Sequence, residues 1–148
     1  MSGRWLPDIN VLLAIGDASS QVHPLALKWF EAHAKRDWWA TCPLTENGFI
    51  RILMLAAYPG GRRTQAQAFS QMEVLRAMNG HAFLPDDISI TDYSRFDLEK
   101  PLGTKQVTDA YLLALAVKHR AKLVTFDRRI DTSFVRGGES ALEILPTE

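Results

Sequence analysis

Short β-rich runs that alternate with helical periodicities assign this chain to the α/β class, with a mainly parallel central sheet covered on both faces. Three observations predict it. First, Arg4–Pro7, Asp37–Cys42, His81–Leu84, Lys122–Phe126 and Leu142–Leu145 are strand-length runs bounded by turn residues. Second, the intervening segments carry apolar residues at helical spacing. Third, Val107–Val117 is apolar on nearly every side, as expected of a helix buried between other elements. The expected architecture is three-layer α/β/α with about five strands, in one domain spanning residues 1–148.

Taken in order, Arg4–Pro7 is a strand that Pro7-Asp8 ends, because proline donates nothing to a central ladder. Val11–Ile15 makes one or two helical turns, stopped by Gly16-Asp17-Ala18-Ser19-Ser20. His23–Ala34 is an amphipathic helix, with Leu25, Ala26, Trp29, Phe30 and His33 on its inner side. Asp37–Cys42 is the second strand, in which Trp38 and Trp39 point to opposite faces. Pro43 suits the first position of the helix Pro43–Ala57, whose inner face carries Leu44, Phe49, Ile52, Leu53 and Ala56. Thr64–Met78 is a helix closed by Asn79-Gly80, and His81–Leu84 is the third strand. Thr91–Leu98 reads as a short helix and Lys100–Gly103 as a loop. The apolar helix, the strand Lys122–Phe126, an Arg-rich loop through Gly137-Gly138 and the strand Leu142–Leu145 complete the chain.

Composition limits the function. A hydrophobic content of 47% and a charged content of 23% are ordinary for a globular protein. The net charge of zero argues against a protein that holds nucleic acid through a global positive field. A single cysteine, Cys42, excludes an internal disulfide and a thiolate metal cluster. No apolar leader or membrane-length stretch is present, so a cytoplasmic protein with no membrane association is expected.

Four acids are the chemistry-bearing feature. Asp8 follows the first strand, Asp127 follows the fourth, and Glu46 lies in the first turn after the second, so all three belong to the carboxyl edge of the sheet. Asp109 joins them only if the loop Lys100–Gly103 returns the chain to that edge. Crowded carboxylates destabilise one another unless a cation is bound. An all-oxygen donor set suits Mg²⁺ or Mn²⁺, and one or two such ions would support hydrolysis of a nucleic-acid phosphodiester. Each acid also has a structural alternative: Asp8 as a helix cap, Glu46 as a partner of a helix dipole, and Asp127 as a turn former.

The runs Leu6-Pro7-Asp8-Ile9-Asn10-Val11, Thr45-Glu46, Val107-Thr108-Asp109-Ala110-Tyr111 and Leu123-Val124-Thr125-Phe126-Asp127 resemble, in order, the acidic motifs of PIN-domain nucleases, most of all the VapC toxins of type II toxin–antitoxin pairs. The resemblance implies a PIN-like fold and a magnesium-dependent endoribonuclease. It also implies a homodimer held inactive by a VapB antitoxin that covers the acidic crevice. By position, Asp8 and Asp109 would be the principal metal ligands, with Glu46 and Asp127 completing the catalytic centre and Asn10 and Thr125 supporting it. Ile9 departs from the small hydroxyl residue that many members carry there. Arg62, Arg63, Arg128 and Arg129 are candidates for contacting RNA phosphates. The competing function is a non-hydrolytic module whose acidic crevice binds an Arg-bearing peptide. A haloacid-dehalogenase-type phosphatase is disfavoured, because the run after Asp8 lacks that family's second Asp and its Thr.

Overall fold

The computed structural model describes residues 3–148. Five strands form one sheet: β1 (Arg4–Pro7), β2 (Trp38–Thr41), β3 (His81–Phe83), β4 (Lys122–Thr125) and β5 (Leu142–Ile144). All pairings are parallel, and the order across the sheet is β3-β2-β1-β4-β5. The chain steps outward from β1 to β3, then crosses back to begin again at β4 on the other side of β1. The winding therefore reverses between β1 and β4, and the crevice outside their carboxyl ends is the natural binding position of such a sheet.

Alternating side chains divide the core in two. The register places Trp5 beside Trp39 and Pro7 beside Val124 on one face, and Leu6 beside Leu123 on the other. Trp5, Trp39 and Val124 pack under α1 (Ile9–Gly16), α2 (His23–Ala32), α3 (Pro43–Leu53) and α4 (Gln65–Arg76). Leu6, Ala40 and Leu123 pack under α5 (Val107–Lys118). Both faces are covered, which is the expected three-layer arrangement. Trp39 is fully buried, whereas Trp38, on the opposite face, is half-buried beneath the Arg4 guanidinium, 3.9 Å from its ring centroid.

The expected apolar helix is present, with Ala110 and Leu112–Ala116 buried. Its first residue, Val107, is 41% exposed, because that end emerges at the carboxyl edge. A turn of 3-10 helix at Thr104–Gln106 leads into it, so the loop before it does bring the chain back to that edge.

Three expectations need correction. Thr91–Leu98 is not a helix but a series of turns. The Asp92 carboxylate accepts from both the N–H and the hydroxyl of Ser94, at 3.0 and 2.6 Å, and Phe96 is drawn into an antiparallel bridge with Val135. Such local side-chain bonds offer the backbone an alternative to a helix. The helix from Pro43 stops at Leu53, whose carbonyl is taken by the Arg63 N–H at 2.8 Å; Ala56, expected on its inner face, is exposed. His33 lies beyond the end of α2 and is exposed, its ring 6.1 Å from that of Trp5.

Among the described residues, no helix is long and apolar enough to cross a membrane.

Candidate functional site

Asp8 sits where β1 becomes α1. Its N–H extends the sheet by bonding to the Val124 carbonyl at 2.9 Å, while Oδ1 accepts the Val11 N–H at 2.9 Å as the cap of α1. The capping role is therefore present. It does not account for the electrostatics. Asp8 is only 7% exposed, and burial pushes its pKa up to about 6 even though the Thr125 hydroxyl and the amides of Val11 and Asn10 bond to it. The Asp109 charge opposes its ionisation further.

Asp109, in the first turn of α5, is half-buried, and its pKa is raised by burial and then by the charge of Asp127. Asp127 follows β4. It is held below the usual carboxylate range chiefly by the Arg129 N–H at 2.8 Å, with burial opposing and the Arg129 Nε at 3.2 Å assisting. Thr125 links the group: its buried hydroxyl oxygen accepts the Asp127 N–H at 3.0 Å, and the hydroxyl bonds to Asp8. The end of β1, the end of β4 and the start of α5 thus set Asp109 within electrostatic reach of Asp8 on one side and of Asp127 on the other, near the switch point. Asp109 and Asp127 open into a cavity of about 410 Å³ that Lys105 and Arg129 also line.

Glu46 stands apart from this group. Its Oε2 accepts the Thr41 hydroxyl at 2.6 Å and lies 3.6 Å from the Arg76 Nε. It lines a different cavity, of about 660 Å³, between α3 and α4. Among the described residues, no three His, Cys, Asp or Glu side chains are grouped closely enough to hold a metal ion. The donor chemistry nonetheless suits a hard divalent cation: the charge of Asp109 acts on Asp8 and that of Asp127 on Asp109, two of these acids have raised pKa values, and the Arg129 guanidinium attends Asp127.

The remaining candidates are dispersed. The backbone N–H of Asn10 bonds to Asp8, but the residue itself is exposed and lines a separate cavity along α1. Arg128 and Arg129 are exposed beside Asp127. Arg62 is exposed, whereas Arg63 turns inward, bonding to Asp17 at 3.3 Å and lying 5.3 Å from the Tyr58 ring centroid. Cys42 is buried with its thiol pushed up to about 11, so it is no nucleophile.

Reading the sequence missed two polar groups. Asp17 is 5% exposed and accepts the Tyr58 hydroxyl at 2.5 Å and the Ser19 hydroxyl at 2.6 Å. His81 reaches Glu46 through Thr41, its Nε2 being 2.7 Å from the Thr41 hydroxyl oxygen. No spacing in the sequence marks either, because both contacts join segments far apart in the chain.

The fold and the site define a class: a doubly wound α/β/α protein with coupled carboxylates at the switch point of a parallel sheet. The chain belongs to the PIN domain family, whose model matches residues 6–133. It is 39% identical over 140 residues to Ribonuclease VapC38 of Mycobacterium tuberculosis (strain ATCC 25618 / H37Rv), covering 95% of this chain and 96% of the relative. It is also 39% identical over 134 residues to Ribonuclease VapC44 of Mycobacterium tuberculosis (strain CDC 1551 / Oshkosh), covering 90% and 93%. Among solved structures, VapBC2 from Rickettsia felis bound to a promoter DNA fragment matches with a TM-score of 0.64 at 12% identity, over 97% of this chain and 99% of that one. VapC20 of Mycobacterium tuberculosis, a Sarcin-Ricin loop cleaving toxin, matches with a TM-score of 0.60 at 15% identity, over 96% and 99%.

Proposed function

We propose that this chain is a VapC-type endoribonuclease toxin that hydrolyses RNA phosphodiester bonds with Mg²⁺, or Mn²⁺ in its place, and is neutralised by a VapB-type antitoxin. The observation that carries the proposal is the coupling of Asp8, Asp109 and Asp127 at the switch point between β1 and β4. The names of the relatives favour RNA as substrate and hydrolysis over peptide binding.

In this reading Asp8, Asp109 and Asp127 would hold the ion, and Glu46, which lines the separate cavity between α3 and α4, is the fourth acid of the motif set. A bound divalent ion supplies an activated water and offsets charge on the leaving oxygen. The chain's own residues prepare for that chemistry. Burial keeps Asp8 poorly solvated, so a cation rather than water is its best partner. Thr125 fixes the spacing of Asp8 and Asp127 through one hydroxyl. Lys105 and Arg129, which line the cavity beside Asp109 and Asp127, would meet the flanking phosphates. The active form is a cytoplasmic homodimer.

The proposal is tested by expression in a host. Growth arrest is expected, relieved by a small protein encoded beside this chain. Harmless accumulation at high yield would remove the toxin assignment.

A further inference from the structure

The cavity into which Asp109 and Asp127 open has further lining that the acidic motifs do not account for. The 3-10 turn Thr104–Gln106 runs directly into α5, so Gln106 stands three residues before Asp109 and four before Ala110. That spacing puts the three on one side of the helix, and all three line the cavity, together with Ile130 and Phe134. Ala110 and Phe134 are buried and Ile130 is half-buried, so this part of the lining is apolar. At about 410 Å³ the space falls within the usual size of small-ligand pockets.

Gln106 is held in one orientation. Its Oε1 accepts the Gly103 N–H at 3.0 Å, and a backbone N–H can only donate, so the amide oxygen and not the nitrogen faces the backbone. Nε2 keeps both protons and makes no hydrogen bond among the described residues. The amide therefore offers donors alone. Lys105 and Arg129, which also line the cavity, have only donors as well. Of the acids there, Asp131 is bonded by the N–H and the hydroxyl of Ser133, and Asp109 and Asp127 belong to the proposed metal site.

Single-stranded RNA is read through unstacked bases that pack on apolar side chains and bond along their edges. A fixed amide that only donates can bond the keto oxygen of a base, but it leaves an exocyclic amino group facing N–H. We propose that this cavity is a base subsite in which Gln106 selects a nucleotide whose base carries a keto oxygen, guanine or uracil, over adenine or cytosine beside the scissile phosphate. The proposal rests on the ribonuclease reading above.

The probes are short single-stranded oligoadenylates, unsubstituted or with the central nucleotide replaced by guanosine, uridine, cytidine or 2,6-diaminopurine riboside. The last places an amino group where guanine has its keto oxygen. Binding is measured by fluorescence anisotropy in chelator and cleavage by kcat/KM in Mn²⁺, for wild type and Gln106→Glu. Glutamate serves as well as glutamine at this capping position, so the variant keeps the bond to Gly103 while exchanging donors for an acceptor. Wild type should favour the guanosine and uridine oligomers by about ten-fold, the effect of one hydrogen bond gained or lost. Gln106→Glu should reverse that order, whatever its overall affinity. The comparison of guanosine with diaminopurine in wild type needs no variant to fold. A wild type indifferent to the central base in both measurements would overturn the subsite, as would a folded Gln106→Glu that keeps the wild-type order. Cleavage that proceeds equally at every base would do so with the ribonuclease reading intact. Selective binding that Gln106→Glu reverses, with no cleavage of any RNA in Mn²⁺ or Mg²⁺, would overturn the ribonuclease reading and uphold base selection by Gln106.

Discussion

Asp8 shows how one side chain serves fold and site together. Its folded-state pKa, about 6, lies above the 3.8 of an unperturbed carboxyl, so the folded chain binds that proton more tightly than the unfolded chain does. The associated stability is fully present below pH about 4 and is lost as the pH rises towards 6. The gap corresponds to about 3 kcal/mol. Asparagine caps helices as well as aspartate does, so Asp8→Asn keeps the bond to Val11 and removes only the charge. Urea unfolding in chelator should therefore show wild type and Asp8→Asn nearly equal at pH 4, with the variant more stable by up to about 3 kcal/mol at pH 7. Equal pH profiles would contradict the burial argument. A second residue-scale prediction concerns Asp17: Tyr58→Phe removes a bond to a buried carboxylate and should cost about 1–3 kcal/mol in the same measurement. The positions of Asp8 and Asp127 at strand ends were legible in the sequence, whereas that of Asp109 depended on the path of the loop before α5. The partners of Glu46 and of Asp17 were not legible, since they depend on strand register and loop docking that no local pattern encodes.

At the scale of elements, α1 and α3 cross closely at Ile9 and Gly48. A Cβ on Gly48 would lie 2.3 Å from the Ile9 Cδ1, too close without a shift. Ile9, the residue that departs from the small hydroxyl of many PIN nucleases, is thus accommodated by a glycine on the facing helix. Gly48→Ala should destabilise the chain by about 1–2 kcal/mol, overpacking outweighing the gain in helix propensity. In an Ile9→Ala background the same change should become neutral or stabilising by up to about 1 kcal/mol. Equal effects in both backgrounds, by chemical denaturation, would show that the two helices do not meet as described. The regular elements were readable because apolar periodicity dominates them: the α5 core and the five strands fall within a residue or two of expectation. The failures at Thr91–Leu98 and after Leu53 occurred where local bonds, from Ser94 to the Asp92 carboxylate and from the Arg63 N–H to the Leu53 carbonyl, override a weak helical pattern.

For the molecule as a whole, the strand order matters most to the proposed function, because it places the ends of β1 and β4, and with them Asp8 and Asp127, side by side. Alternating strands and helices made the parallel sheet legible, but the order β3-β2-β1-β4-β5 needs contacts between residues more than a hundred positions apart, such as Leu6 with Leu123. A cation bound outside the ends of β1 and β4 joins three elements distant in sequence and should stabilise the whole fold. Mn²⁺ at a hundredfold excess over its dissociation constant contributes about 2.7 kcal/mol, which raises the Tm of a chain of this size by roughly 5–10 °C. Asp8→Asn should abolish most of that rise. The most direct test of the central claim is cleavage of total cellular RNA by the purified, antitoxin-free chain, with wild type and Asp109→Asn run side by side in Mg²⁺, in Mn²⁺ and in chelator. The proposal predicts discrete RNA fragments that require both the metal and Asp109. Cleavage that persists in chelator or in Asp109→Asn would contradict it, as would a well-folded wild type that leaves RNA intact in both metals.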